Sequence, residues 1–323
     1  MNFFDTLTEG VSIPLSTLAT GYKPVGMIGD QVFPKVKSLL TAGTIPQYGK
    51  DSFRIYDSIR AVTARSNRVS QSPISWLNFN CQEHDLVIPL DSQQLEELKK
   101  IPGDAQLTAM FDLQNRARIT LQQNMANDLE KVIADKVQAT GNYVDANTTT
   151  LSTTLCWSEH ATSKPVEDIE TGIEKVRGLI GRRPNTLIMG MATWNVLKFH
   201  TEYASLYSAN IDKILTIEML ARFHNLKKVI VGESIYTPTN GGALTDIWGD
   251  FALLCYIPDT ITPSYEEPGF GYTIVPAYST TPYPYVDTFI EEGGKIINVR
   301  VTDKWDTIFT MSQAGYLIKN TVK

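Results

Sequence analysis

The sequence predicts a mixed fold, either α/β or α+β, with one very long helix and an extended β-hairpin. Three observations lead to it. Apolar residues recur at threes and fours through the middle of the chain, strand-like segments flank a polar connection before it, and strand and helix patterns alternate after residue 186. The 323 residues suggest about two domains, although one large domain stays possible.

The composition is that of a chain that folds in water. Hydrophobic residues make up 42% and charged residues 20% of the sequence, so wholesale disorder is not expected. The longest apolar run, 251–257, is far below the roughly 18 residues that a membrane span needs. Asp5 and Glu9 stand where a secretory signal carries Lys or Arg, so export by that route is not expected.

Charge is spread unevenly along the chain. The net charge of −6 has the wrong sign for a protein that wraps nucleic acid tightly. Residues 229–294 contain nine acids and no Lys or Arg. A compensating basic stretch is formed by Arg54, Arg60, Arg65 and Arg68. This split fits either self-complementary surfaces between copies or two separately solvated faces.

The N-terminal third divides into an arm and a hairpin. Residues 1–50 mix Gly, Pro and short apolar runs without a sustained period, which indicates an extended arm packed on its own domain or on a neighbour. In residues 51–90, strand-like stretches around Phe53 and from 76 to 88 flank the polar segment 65–73. That pattern predicts a projecting β-hairpin.

A long helix follows a short one. Asp91 caps the short helix, with Gln94 at the capping-box position, and Pro102-Gly103 ends it. Apolar residues then recur at helical spacing over 104–139, and Gly141 follows as the stop. Some 35 residues at 1.5 Å each reach roughly 50 Å. Because the apolar stripe has no strict heptad, a helix packed across a sheet is favoured over a coiled coil.

The C-terminal half alternates between helices and strands. Ser163 is the expected N-cap of a helix that begins near Pro165. Strands are expected at 186–189, 228–231, 251–257, 295–301 and 308–311, and helices at 193–199 and 217–223. Residues 258–285, rich in Tyr and Pro, are expected to be irregular.

The sequence contains one partial motif for nucleotide binding and one for nucleophilic catalysis, and each lacks residues that its chemistry requires. The segment GTIPQYGKD (43–51) has five residues between its glycines and Asp51 after its Lys, whereas a phosphate-binding loop needs four residues and a hydroxyl. Tyr236 stands where a nucleophile elbow around Ser234 requires Gly, so Ser234 is expected to be a loop residue. The separated Cys81, Cys156 and Cys255 are expected to be core thiols, not disulfides.

The remaining polar clusters are weak candidates. The four histidines are His84, His160, His200 and His224, and their spacing places no two on one helical face for Zn²⁺. Glu83-His84-Asp85 is expected to be a solvated strand. Two acidic groups near several tyrosines allow an acidic-cleft glycan-binding protein or hydrolase as a minor alternative: Glu266 and Glu267, and Asp246 with Asp250. No catalytic, cofactor-binding or metal-ligating residue is predicted.

Several strings resemble, in order, landmarks of tailed-bacteriophage major capsid proteins. They are SEHATSKPVEDI (158–169), GRRPNTLIMG (181–190), WNVLKFH (194–200), IEMLA (217–221), KVIVG (228–232), IWGDFALLCYIP (247–258) and AGYLIK (314–319). The resemblance runs from about residue 91 to the end of the sequence. It implies the α+β Hong Kong 97-type capsid fold, with an N-terminal arm, an extended hairpin loop, a peripheral domain with a spine helix, and an axial domain.

On this resemblance the expected division follows the landmarks. The N-terminal arm is expected at 1–50 and the hairpin at 51–90. The peripheral domain is expected at 91–182, with its spine helix at 104–139, and the axial domain at 183–292. The chain is expected to return to the peripheral domain at 293–323. Some members of the family begin with a scaffolding segment of about a hundred residues that is later cleaved off. The sequence before the predicted hairpin is too short to contain such a segment, so a separate scaffold or none is expected.

The resemblance implies a structural protein and not an enzyme. Its copies would form pentamers and hexamers in the icosahedral shell of a virion, around the double-stranded DNA of a tailed phage and without sequence-specific binding. Portal, scaffold and decoration proteins are the implied partners, and assembly would take place in the host cytoplasm without a membrane. An encapsulin-like cargo compartment is the main alternative.

Overall fold

The computed structural model describes most of the chain. The described residues are 10–11, 13–20, 26–47, 49, 53–60, 62–63, 65–69, 74–91, 93, 104–206, 215–239, 241–260, 263, 267–277, 283–291, 293 and 295–323. The helices are α1 (Ile13–Thr20), α2 (Gly29–Val32), α3 (Asp104–Gln138), α4 (Pro165–Ile180), α5 (Met191–Leu197), α6 (Thr201–Leu206) and α7 (Ile217–Phe223).

The strands are β1 (Gly10–Val11), β2 (Lys35–Ser38), β3 (Ala42–Pro46), β4 (Trp76–Asn80), β5 (Gln82–Asp91), β6 (Thr148–Thr150), β7 (Thr186–Gly190), β8 (Lys228–Gly232), β9 (Ile235–Tyr236), β10 (Thr245–Asp246), β11 (Phe251–Cys255), β12 (Gly271–Pro276), β13 (Tyr285–Glu291), β14 (Ile296–Phe309) and β15 (Gly315–Lys319). A six-stranded sheet has the order β1-β13-β14-β12-β2, with β5 also on β14. A five-stranded sheet has the order β6-β15-β11-β7-β8, and β3-β4 and β9-β10 are two-stranded ribbons. The α+β class is confirmed.

Helix α3 confirms the predicted spine. Its buried residues Ala117, Leu121, Met125, Leu129 and Ile133 follow one another at intervals of four, so they form one continuous face. This face packs into two cores along the helix, beside β14 at one end and beside the five-stranded sheet at the other. Each fully buried Leu or Ile contributes roughly 1.5–3 kcal/mol, which is why the helix follows this stripe.

Helix α4 packs on the five-stranded sheet. Its apolar residues Ile169, Ile173, Val176 and Ile180 are fully buried in one core with strands β7, β11 and β15. Gly181 ends the helix in a left-handed conformation with φ of 72°. The expected cap is wrong in detail, because Lys164 precedes the helix without a side-chain cap bond and the Ser163 hydroxyl donates to the Glu159 carbonyl instead.

The predicted hairpin limbs need correction. The described residues 53–60 contain no strand, and β4 pairs instead with β3 from the segment predicted as the arm. Strand β5 leaves the ribbon and joins β14 in the six-stranded sheet. The apolar residues near Phe53 suggested a strand, but a short strand forms only where it has a partner. In this fold the partner of β4 is Ala42–Pro46, and not the segment near Phe53.

Two further expectations about strands are wrong. Residues 258–285 are not wholly irregular, since β12 lies within them and pairs with β14 on one side and β2 on the other. The two strands expected at 295–301 and 308–311 are one 14-residue strand, β14. Its polar middle is compatible with a strand because each residue pairs with β5, β12 or β13.

The predicted domain boundaries do not coincide with the sheets. Helix α4, expected with 91–182, packs on the five-stranded sheet. Strands β12 and β13, expected with 183–292, lie in the six-stranded sheet. Strand β15, expected to return with 293–323, pairs with β11. Periodicity predicts the type of an element, but its partners are set by long-range pairing that one sequence does not display.

Candidate assembly surfaces

The two rejected motifs lie in ordinary structural positions. Gly43 belongs to β3, where it pairs with Phe79 on β4, so its segment begins as a strand and not as a loop around phosphate. Ser234 lies between β8 and β9, as the predicted loop residue, and donates a hydrogen bond to the Glu130 carboxylate. The Glu83-His84-Asp85 cluster lies on β5, where the His84 ring stacks on Trp305 with centroids 4.0 Å apart.

The described parts of the chain bring no three His, Cys, Asp or Glu side chains together as metal ligands. His84 is on β5, His160 stacks on His200 with centroids 4.9 Å apart, and His224 is bound to Glu170. In the same part of the chain, no helix has both the length and the apolar character to cross a membrane.

The acidic groups considered for glycan chemistry lie in different structural elements. Asp246 is in the β9-β10 ribbon and Asp250 precedes β11. Glu267 precedes β12, 3.6 Å from Arg182, and accepts a hydrogen bond from the Tyr256 hydroxyl. The remaining candidate, Glu266, lies outside the described residues.

The three cysteines are buried free thiols, as predicted. Burial raises the pKa of Cys81 to about 11, with the nearby Asp306 carboxylate adding to the effect. Burial also raises the pKa of Cys255 far above its ordinary value. Because the thiolate is the reactive form, these two side chains act as core residues.

The N-terminal segment packs on its own subunit at two places. In α1, Ser16 exchanges hydrogen bonds with Val286 on β13, and Ala19 accepts one from Gln122 on α3. The second place is α2, where Val32 and Phe33 are fully buried beside the C-terminal half of α3. The arm was predicted to pack either on its own domain or on a neighbour, and its described part packs on its own domain.

One buried carboxylate holds the second place together. Glu130 on α3 is 3% exposed and accepts hydrogen bonds from the Ile28 and Gly29 amides at 2.8 and 2.6 Å. Its Oε1 also accepts one from the Trp248 indole at 2.7 Å and one from Ser234. Four donors from three separate segments thus converge on one side chain. Glu130 was not predicted from the sequence; the available signal was a single Glu within the apolar stripe of α3.

A long connection leaves the β3-β4 ribbon. Its two limbs start side by side, where the Gln47 amide donates to the Ser75 carbonyl at 2.8 Å. Beyond them the connection exposes large apolar side chains, including Ile55 at 99%, Ile59 at 83% and Val62 at 91%. Apolar residues concentrated in this way indicate a surface that another protein covers.

The same connection carries the basic stretch. Arg54, Arg60, Arg65 and Arg68 are all exposed, and Arg54 lies over the Tyr56 ring at 5.0 Å. Exposed Arg among exposed apolar side chains is a composition typical of protein interfaces. We define residues 53–69 as the basic apolar loop.

The acidic side chains of residues 229–294 are partly neutralised within the subunit. Asp259 pairs with Lys227, Glu267 with Arg182, and Asp287 with Arg300. Other acids are exposed beside the β9-β10 ribbon. They are Glu233, Asp246 and Asp250. One subunit therefore presents both a basic apolar loop and an acidic surface.

A known phage protein is similar to this chain over most of its length. No protein-family model matches the chain. The major capsid protein of Burkholderia phage BcepMu is 34% identical over 309 residues, which are 94% of this chain and 94% of that protein. The chain belongs to the phage major capsid protein family. A protein of this family forms the shell of the virion, so its copies assemble with one another and its role is structural.

Solved structures show the same fold for this major capsid protein. A phage-related protein from Bordetella bronchiseptica has a TM-score of 0.75 at 25% identity, with 97% of this chain and 98% of that chain covered. A chain of Microbacterium phage Oxtober96 has a TM-score of 0.55 at 11% identity over 92% and 93% of the two chains. The Hong Kong 97-type fold is confirmed, and the curated relative favours the phage shell over the encapsulin-like alternative.

Proposed function

We propose that this major capsid protein forms closed icosahedral shells of pentamers and hexamers around the double-stranded DNA of a tailed phage. The observation that carries the proposal is the basic apolar loop, because Ile55, Ile59 and Val62 are almost fully exposed in the single subunit while an acidic surface lies on the same subunit. Repetition of one heterologous contact around a closed symmetry axis buries both surfaces in every copy. Assembly takes place in the host cytoplasm.

The two sheets correspond to the two domains of the fold. We assign the five-stranded sheet with α4, α5 and α7 to the axial domain. The six-stranded sheet with the N-terminal half of α3 is assigned to the peripheral domain. The supporting observation is that α4 and α1 lie in different apolar cores, one on each sheet. A third core, around the C-terminal half of α3, contains Leu253 of one sheet and Trp305 of the other, so it joins the two domains.

Partners of the shell follow from the same proposal. We infer that these partners are a portal, either a separate scaffold or none, and decoration proteins. The DNA is enclosed without sequence-specific contacts, which fits the net charge of −6.

Charge reversal on the basic apolar loop is expected to impair assembly and leave folding intact. The double variant Arg65→Glu/Arg68→Glu places acids where exposed cations face a neighbour's acidic surface. One exposed pair contributes under about 1 kcal/mol, but the effect is repeated in every copy of the shell. Light scattering at low salt should show a slower and smaller rise for this variant than for the native protein.

The matched control is Arg65→Lys/Arg68→Lys, which keeps the charge and should assemble at the native rate. Circular dichroism should be the same for all three proteins. Shells of the charge-reversed variant that form normally at low salt would contradict this role of the loop.

We expect the shell subunits to stay covalently separate. In some proteins of this fold a hairpin Lys attacks an Asn of a neighbour, but no Lys lies between Lys50 and Lys99. An Arg guanidinium stays protonated and cannot attack an amide. Shells boiled in detergent should run as one band near 36.0 kDa on a denaturing gel. A ladder of oligomers would show that another Lys reacts.

A further inference from the structure

A buried histidine begins the short helix α6. His200 is 1% exposed and directly precedes Thr201, the first residue of the helix. Its Nδ1 accepts a hydrogen bond from the Glu202 amide at 3.2 Å, so the imidazole takes the place of the usual Ser or Asp side chain of an N-cap. Its Nε2 lies 2.9 Å from the Ser163 hydroxyl.

The surrounding bonds fix the protonation state of this imidazole. The Ser163 hydroxyl donates its only hydrogen to the Glu159 carbonyl at 2.9 Å, so it accepts a hydrogen from His200 Nε2. Nδ1 carries no hydrogen, because it accepts a hydrogen bond from the Glu202 backbone amide. His200 is therefore a neutral imidazole, and its Nε2 is a donor that cannot take a proton from Ser163 as a catalytic base would.

The nearby charges oppose a second proton on the ring. The His160 ring stacks on His200 at 4.9 Å, and a positive charge on His160 disfavours another on its neighbour. Burial, followed by this repulsion, lowers the pKa of His200 from 6.5 to about 4. The titratable and charged side chains on the elements around α6 include Glu159, His160, Lys164, Glu167, Asp168, Glu170, Arg183, Glu202, His224 and Lys323.

A second histidine holds the same helix from its other side. Tyr203 on α6 is buried, and its hydroxyl lies 2.8 Å from His224 Nε2. His224 Nδ1 donates to the Glu170 carboxylate at 2.6 Å, so in the neutral ring Nε2 accepts from Tyr203. Burial is the largest influence on the pKa of His224 and lowers it, against the opposing effect of Glu170.

We propose that His200 is an acid-sensitive cap, and that its protonation releases helix α6 from α4 and from the turn that carries His160. A proton on Nδ1 would place an N–H directly against the Glu202 amide, so the cap bond cannot persist in the charged form. The Glu202 side chain, whose carboxylate accepts from the Val166 amide of α4, moves with the helix.

The sign of the effect follows from linkage. The released imidazole binds a proton near pH 6.5, and the capped one binds it only near pH 4. Acid therefore favours release, and the opening constant of α6 should rise roughly tenfold for each pH unit within that interval. Above pH 6.5 the constant should not change with pH.

Hydrogen exchange of the purified, assembled protein tests this cap. Exchange of a peptide covering α6 is measured from pH 7.5 to 4.5 and corrected for the intrinsic rate. The internal reference is α4 beyond its first turn, because the Val166 amide in that turn donates to Glu202 of α6. The expected result is a loss of protection in α6 of about tenfold per pH unit below 6.5, with no such loss in the reference. Protection of α6 that stays constant over this range would overturn the proposal without any variant being needed.

The variant His200→Gln tests the assignment to this ring. A glutamine can accept from the Glu202 amide and donate to Ser163 without titrating, so α6 of the variant should lose the tenfold slope that this ring supplies and keep only what His224 contributes through Tyr203. The matched control is His84→Gln on β5, which should keep the tenfold slope. An acid response of equal slope in both variants would overturn the role of His200.

Discussion

Replacing Gly190 with alanine is expected to prevent this capsid protein from folding. Gly190 ends β7 and precedes α5, and a Cβ at this position would lie 2.0 Å from the Gly249 carbonyl oxygen and 2.5 Å from that of Trp248. Its φ of −76° is open to any residue, so the requirement for glycine is steric. Because both obstacles are backbone atoms beside the buried strand β11, they cannot move aside as a flexible side chain could.

The cost of this substitution should exceed about 4 kcal/mol, which is a large fraction of the stability of a typical domain. The soluble yield and the cooperative thermal transition measure it. The matched control is Gly178→Ala in the exposed face of α4, where a Cβ has no neighbour within 4 Å. That change should stabilise the helix by about 0.8–1 kcal/mol. A soluble Gly190→Ala protein with native melting would contradict the close approach of β7 to the Trp248 segment.

The variant Glu130→Gln is expected to lower the free energy of unfolding by about 2–5 kcal/mol. The amide keeps the size of the carboxylate but replaces one acceptor oxygen with a donor. In one orientation of the amide, its NH₂ faces the Gly29 amide N–H. In the other orientation, its NH₂ faces the two donors that Oε1 accepts from, the Ile28 amide and the Trp248 indole. At least one buried donor then stays unsatisfied, and each such group costs about 1–3 kcal/mol.

Urea unfolding of the unassembled subunit measures this effect. The control is Glu174→Gln on α4, which removes a solvent-exposed pair with Arg177 and should cost less than about 1 kcal/mol. Equal losses for the two variants would show that the Glu130 cluster does not hold the N-terminal segment to α3.

The elements that the sequence predicted well are those with a long, regular pattern. Helix α3 was predicted at 104–139 and is observed at Asp104–Gln138, because its apolar stripe repeats over many turns and needs no knowledge of its partner. Strands β7, β8 and β11 were predicted to within a few residues for a related reason: each is a short apolar run buried on both faces.

The errors lie where pairing decides structure. Strand β3 contains Gly43 and Pro46, both poor strand residues, and forms because β4 pairs with it. Phe53 suggested a strand, but its ring instead packs against Gly181, where an added Cβ would lie 2.5 Å from it. Neither contact is local in sequence, so neither can be read from a pattern of neighbours.

The candidate surfaces were predicted in part. The basic stretch was visible in the sequence, and its exposure on the connection between β3 and β4 is observed. The Glu130 cluster was not predicted, because its four donors come from segments near residues 28, 234 and 248. A carboxylate in an apolar stripe can indicate such a cluster, but its donors are assembled only by the tertiary fold.

Electron microscopy of the purified protein tests the central claim most directly. The account predicts closed icosahedral shells, with pentamers at the vertices and hexamers between them, once the protein is concentrated with the phage scaffold supplied. A protein that stays a folded monomer under those conditions, without shells or partial shells on the grid, would contradict the account.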